Sequence, residues 1–425
     1  MKTPLPSKLA IDGGTPVRRK ALPPSFPGAM VMGVAEKRAV LSVIDAKSPF
    51  RYYGPHLLNR VQKFEREFAA FSGVKFALGV TSGTAALRVA IEALGIGPGD
   101  EVIVPAVTFV ASPNAVICAR AVPVFADVDD SMNLDPADFE KRVTPRTKAV
   151  MPVPIIGVSP DMRRILSVAR RHGIPVLEDV AQSCGATYRG RPLGTFGKIG
   201  TFSLQLNKII TAGEGGVVIT GDPILYERAV RYHDQGQVRA PHAALLGKLR
   251  VEPFAGENYR MSELAGAIAS AQLTKLPMIL RRMRAARDTI ERAVKGMKRL
   301  SLRPSHDRAG DAGSSLTFYM EDSEKAAWFA RTLCAENIAC SQLYNGVPSY
   351  MSPQVSRKDV ASTVKCPFEC PLYEGAVDYR PGLCPNAEDL MKRSVTFGLP
   401  PVLTAADVND IVKGIRKVYG ALYQN

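Results

Sequence analysis

The chain has 425 residues, 46% hydrophobic and 22% charged, an ordinary globular balance that excludes a collagen-like or disordered polymer and suits two domains. Its formal charge of +15 comes from 55 Lys and Arg against 40 Asp and Glu. These are spread along the chain, so a solvated basic surface ranks first, acidic ligands second and nucleic acid third. The densest basic stretch, Arg281 to Arg287, falls on an expected helix and reads as an exposed face.

From the start, residues 1–32 carry many Pro and Gly and no continuous apolar run. They read as an extended arm without a secretory signal. No apolar run reaches bilayer length, which leads us to expect a soluble, cytoplasmic protein. Helices are expected over 33–46 and 58–72. From Phe76 the pattern alternates. Short, β-branched strand candidates lie at Ala77–Val80, Glu101–Val104, Val122–Phe125, Ala149–Val153, Pro175–Leu177, Gly200–Leu204 and Gly216–Thr220, with helices over 84–94 and 161–172 between them. Such strands belong in a largely parallel sheet with helices on both faces. A long helix is expected over 262–298. A smaller α+β lobe follows, with a strand at 314–320 and helices at 323–336 and 405–421. Seven cysteines do not make a disulfide framework. Cys366, Cys370 and Cys384 cluster, but their spacing is not a standard zinc pattern, so no metal site is assigned.

The chemistry concentrates where strands end. Ser82-Gly83-Thr84 stands between a strand and a helix, where free backbone N–H groups and the helix dipole bind phosphate. An ordinary helix cap is the alternative. Asp179 ends a strand, and a buried carboxylate there needs a partner. A protonated pyridine nitrogen would serve, as would a salt bridge or a helix cap. Lys208 follows the next strand and precedes Gly213-Glu214-Gly215-Gly216. Most lysines are solvated surface charges, but a tight glycine turn beside a hydrophobic strand singles this one out. Ser203, just upstream, carries a hydroxyl suited to phosphate. Together these parts suit pyridoxal phosphate (PLP), which needs an amine for its aldehyde, an anion for its ring nitrogen and close backbone approach.

Five segments in order carry a resemblance. They are TSGTAALRVAIEALGIGPGDEVIVPAVTFVAS, AVPVFADVD, VLEDVAQSCGA, TFSLQLNKIITAGEGG and NYRMSELAGAIASAQLTKL. With them the chain resembles the DegT/DnrJ/EryC1/StrS family of sugar aminotransferases. The resemblance implies PLP fold type I: a large α/β domain over 33–280 with a mostly parallel seven-stranded sheet flanked by helices, and a smaller α+β C-terminal domain over 281–425. It also implies pyridoxal 5'-phosphate as cofactor, with pyridoxamine 5'-phosphate as its intermediate form. Lys208 matches the lysine that holds the cofactor and Asp179 the partner of the ring nitrogen. Gln182 matches a contact on the 3-hydroxyl side, Phe109 the ring stacked on the pyridine, and Gly83, Thr84 and Ser203 the phosphate ligands. Asn258 matches a phosphate ligand given by the neighbouring subunit, which implies a homodimer with shared sites. Tyr53 and Gly54 match a loop bordering the substrate, and Tyr344 falls where the C-terminal lobe lines the acceptor pocket.

Relatives with His in place of the lysine dehydrate keto-sugars, so Lys208 favours a transaminase. A PLP-binding regulator without turnover is the alternative from another class. Ile155-Ile156-Gly157 stands where many relatives have a His or aromatic residue before the glycine. The segment from Glu369 to Val395 is longer than usual. The implied donor is glutamate or glutamine. Three acceptors compete: a nucleotide-linked keto-sugar, a scyllo-inosose-type cyclitol, and an 8-oxo-octulosonate-type acidic sugar aldehyde.

Overall fold

The computed structural model describes residues 8–361 and 363–423. The first seven residues of the expected arm, together with Ser362 and the last two of the expected small domain, lie outside the described residues. Seven strands build the large sheet: β1 (Phe76–Val80), β2 (Glu101–Pro105), β3 (Val122–Ala126), β4 (Thr147–Val150), β5 (Leu177–Asp179), β6 (Ile199–Ser203) and β7 (Gly216–Thr220). They form two ladders, β1-β7-β6-β5 and β3-β2-β4. The ladders join where Val150 bridges Val176 in parallel. There the Val150 N–H donates to the Pro175 carbonyl at 3.1 Å and the Asp179 N–H to the Pro152 carbonyl at 3.1 Å. β7 runs antiparallel to both its neighbours, while the β6–β5, β2–β3 and β2–β4 pairs are parallel. The mostly parallel sheet expected from the apolar runs is present.

Both faces of the sheet are buried, which is why its strands read as continuous apolar runs rather than alternating ones. On one side Leu78, Val80, Val102 and Val104 pack with α3 (Gly83–Ala93), α4 (Ala111–Cys118) and α7 (Pro223–His233). On the other, Ala77, Ile103, Val217 and Ile219 meet α2 (Arg60–Ser72), α6 (Met162–Arg171) and α9 (Glu263–Val294). Side chains start the helices as local chemistry requires: Ser82, Asp161 and Ser262 each accept a backbone N–H of the first turn.

A second, smaller sheet of β8 (Ser301–Leu302), β9 (Ser315–Tyr319) and β10 (Ser394–Gly398) is antiparallel. With α10 (Ser323–Ala335) and the C-terminal helix Ala405–Tyr423 it closes over its own core, which includes Phe318, Phe329, Phe397, Ile411 and Ile415. Positions 280 and 281, the expected domain boundary, lie inside α9. That helix serves both cores, with Leu276 and Met283 in the large one and Ile290 and Val294 in the small one. No helix among the described residues is long and apolar enough to cross a membrane. Cys384 is buried, Cys366 and Cys370 are half-buried, and no group of three metal-ligating side chains occurs among the described residues.

Candidate active site

The carboxyl ends of β1, β2, β5 and β6 open on one cavity of about 600 Å³, the usual place for a ligand in an open α/β sheet. Its lining includes Gly83, Thr84, Phe109, Asp179, Gln182, Ser203, Lys208 and Tyr344. Eight of the eleven candidates from the sequence therefore meet in one place. The other three, Tyr53, Gly54 and Asn258, are exposed outside this lining.

The floor is built first. The Ser82 side chain caps α3 by accepting the Ala85 N–H at 3.0 Å, so the cap reading holds for Ser82. Gly83 and Thr84, in the helix's first turn, line the cavity. Glycine is required at 83 because a Cβ would stand 2.6 Å from Ser203 Cβ. Gly216 is equally confined: a Cβ there would meet the Ser82 carbonyl oxygen at 2.2 Å. Gly213 adopts φ 85°, which only glycine adopts freely. Three backbone bonds then close the Lys208 loop. The Leu204 N–H donates to Gly215 O at 2.8 Å, the Ala212 N–H to Leu204 O at 2.9 Å, and the Lys208 N–H to Gln205 O at 3.0 Å. The glycine turn thus clamps the base of a loop whose tip carries the lysine.

Burial lowers the pKa of Lys208, against the opposing pull of Asp179 and Glu214. Asp179 is buried, and burial raises its pKa. It accepts Ser112 Oγ at 2.7 Å and the Ala181 N–H at 3.2 Å. Ser112 is fixed in turn against Thr108, hydroxyl to hydroxyl at 2.7 Å. Both hydroxyls were missed in the sequence, although they flank Phe109 within the PAVTFVAS segment. Phe109 is 53% exposed in the cavity mouth, an uncovered aromatic face of the kind a flat ring stacks on.

The C-terminal lobe supplies the far wall. Tyr344 OH accepts Gln182 Nε2 at 2.8 Å, and Gln182 Oε1 accepts the Ile156 N–H at 3.2 Å. Burial pushes the Tyr344 hydroxyl up to about 12. Ile156 (φ 44°, ψ 42°) and Tyr344 (φ 47°, ψ 37°) both hold left-handed backbone, at about 1–2 kcal/mol each. Such strain concentrates at ligand sites. Ser25, Ser314, Ser315 and Thr396 complete this wall. They come from distant segments and carried no local signal.

The sequence profile of the DegT/DnrJ/EryC1/StrS aminotransferase family matches residues 54–416. The chain belongs to this family. It is 32% identical over 423 residues to the L-glutamine:2-deoxy-scyllo-inosose aminotransferase of Streptomyces kanamyceticus, covering 97% of each chain. It is 46% identical to the GDP-perosamine synthase of Caulobacter vibrioides over 217 residues, 51% of this chain and 57% of that one. Among solved structures it resembles DesV from S. venezuelae, with a TM-score of 0.77 at 30% identity, covering 90% and 94% of the two chains. The protein is a PLP-dependent aminotransferase of fold type I.

The cavity's chemistry fits that cofactor. A helix N-terminus with no room for a Cβ suits a phosphate. The buried Asp179, with two donors already in place, keeps capacity for a protonated ring nitrogen. Lys208, on the loop after β6 at the same sheet edge as Asp179, feels the charges of both Asp179 and Glu214.

Proposed function

We propose that this aminotransferase moves the amino group of glutamine or glutamate onto the carbonyl of a polyhydroxylated ring, a sugar or cyclitol, in amino-sugar biosynthesis. When bound, PLP supplies an aldehyde for the amine and an electron-accepting ring. Lys208 Nζ would hold that aldehyde and, as a free amine, would move the proton at the reacting carbon. The lowering of its pKa by burial leaves more free amine for that task near neutral pH. Asp179, oriented by Ser112, keeps the ring nitrogen protonated. Gly83, Thr84 and Ser203 would hold the phosphate, Phe109 would stack on the ring, and Gln182 would border it. The observation that carries this reading is the half-buried lysine set across one cavity from a buried, hydroxyl-anchored aspartate.

For the acceptor we favour a neutral, scyllo-inosose-like cyclitol ketone. Two observations support this over a nucleotide-linked or acidic sugar. The far wall offers hydroxyls from Ser314, Ser315, Tyr344 and Thr396, and Lys208 is the one cation among the described lining residues. The likeness to a 2-deoxy-scyllo-inosose aminotransferase also spans 97% of both chains.

A homodimer with shared sites belongs to the same proposal. Tyr53, 68% exposed, and Val34, Leu41 and Ile44 of the helix Val34–Asp45 all present apolar surface to solvent. Asn258 is held near the same loop: it pairs with Asp234, and Asp234 binds Arg260, whose guanidinium lies over Phe50. A second copy would receive Tyr53, Gly54 and Asn258. We place the protein in the cytoplasm, since none of its seven cysteines forms a structural disulfide.

The experiment loads the protein with PLP, converts it with glutamine, and adds in turn an inosose, a nucleotide-linked keto-sugar and an acidic sugar aldehyde. Return of the original cofactor absorbance with the inosose supports the reading. Return with another acceptor alone refutes the cyclitol assignment, and no response to glutamine or glutamate refutes the transferase.

A further inference from the structure

Helix α10 ends in a turn that is held from three sides. Asn337 takes φ 62°, and its N–H donates to Cys334 O at 3.0 Å. Glu336, fully buried, accepts the Ala10 N–H at 2.9 Å and the Val17 N–H at 2.7 Å, and pairs with Lys417 at 2.7 Å. Ile338 is buried in the small core. Cys334 and Cys340 flank this fixed turn. Cys334 Sγ donates to Cys340 O at 3.4 Å, and Cys340 Sγ donates to Ala330 O, one helical turn before Cys334, at 3.7 Å. Cys334 is exposed and Cys340 half-buried.

The next residue ties this place to the cavity. Ser341 and Thr396 exchange backbone hydrogen bonds at 3.1 and 2.8 Å, and Thr396 and Tyr344 both line the active-site wall. The arm that Glu336 anchors runs on to Ser25 and Pro27, which line it too.

We propose that Cys334 and Cys340 are a reversible dithiol–disulfide switch at the root of the strap, residues 341–346, that carries Tyr344 into the pocket. The oxidant is a low-molecular-weight disulfide. The Cys334 thiolate attacks one of its sulfurs and expels one thiolate. Cys340 then gives up its proton and attacks Cys334 Sγ, forming the intramolecular S–S bond and expelling the second. Two protein thiols are oxidised and one disulfide is reduced to two thiols. The roles follow from exposure, since Cys334 is the open thiol and Cys340 the covered one, and from their mutual influence, which pulls Cys334 down to about 6 and pushes Cys340 up. The exposed sulfur is thus the attacking one and its neighbour the resolving one. Closing the bond fixes the sulfurs about 2 Å apart, and the anchored turn passes the shift this requires to Ser341 rather than to the core.

The test uses the full-length, PLP-loaded protein treated with glutathione disulfide, then alkylated and mapped by peptide mass. The expected product is a link between Cys334 and Cys340 that dithiothreitol reverses. In Cys340→Ser, Cys334 should instead retain one glutathione. Hydrogen exchange across 341–346 should change on oxidation of the wild type and stay constant in the variant. A stable glutathione adduct on wild-type Cys334, both thiols left free, or a link that leaves exchange at 341–346 unaltered would each overturn the proposal.

Discussion

Replacing Gly83 by alanine tests the phosphate floor, because two effects of opposite sign compete there. Alanine is the better helix former, by up to about 1 kcal/mol in a helix interior and less in a first turn. Against this, its Cβ would lie 2.6 Å from Ser203 Cβ and 3.2 Å from Ser203 Cα. Carbon pairs prefer about 3.5–4.0 Å, so roughly 1 Å must be found. Rotating the Ser203 hydroxyl cannot supply it, since the clash is with Cβ and backbone. Either α3 or β6 must retreat, and overpacking of this kind costs about 1–3 kcal/mol. The crowding wins. Because the movement separates the α3 N–H groups from Ser203, we expect PLP affinity to fall by about 5- to 150-fold, the same range expressed as a binding constant. Absorbance titration of the apoprotein with PLP measures this, and urea unfolding measures stability. Gly97→Ala is the control, since nothing lies within 4 Å of a Cβ there. An unchanged PLP affinity in Gly83→Ala would refute the cradle.

Three further outcomes follow from the geometry. Ser112→Ala removes a 2.7 Å bond to buried Asp179. A hydrogen bond to a charged group contributes about 1.5–3 kcal/mol, so PLP binding and kcat should both drop, with Ser112→Thr restoring part of each. His233 is buried, and burial with Arg51 beside it lowers its pKa from 6.5 to about 3. The unfolded chain then binds the extra proton, so stability is full above about pH 6.5 and declines as pH falls toward 3. By pH 5 the loss from this one group is about 2 kcal/mol, and urea midpoints across that range should track it. A flat profile would contradict a buried neutral imidazole. Tyr344→Phe frees Gln182 Nε2, and should raise the acceptor's KM more than the donor's in steady-state kinetics.

Much of the fold could be read because both sheet faces are buried and the strands stay uniformly apolar. The boundaries moved where proline intervenes. The strand expected at 149–153 is Thr147–Val150 and the one expected at 175–177 is Leu177–Asp179, with Pro152 and Pro175 lending only their carbonyls to the join. Helix α4 was not foreseen: five of its eight residues are buried, so it shows no one-sided stripe, and Pro113 lies inside it. At the site, Gly83, Asp179 and Lys208 were legible because each sits beside a strand end with its supporting glycine or cap nearby. Ser314, Ser315 and Thr396 were not. They reach the cavity only through the β9–β10 pairing of a separate lobe, a long-range contact that leaves no local pattern.

The central claim is that Lys208 carries the cofactor. Hydride reduction of the PLP-loaded protein, followed by digestion and mass mapping, tests it most directly. The account predicts one modified residue, Lys208, and no covalent product in Lys208→Ala. Modification at another lysine, or an undiminished product in that variant, would contradict it.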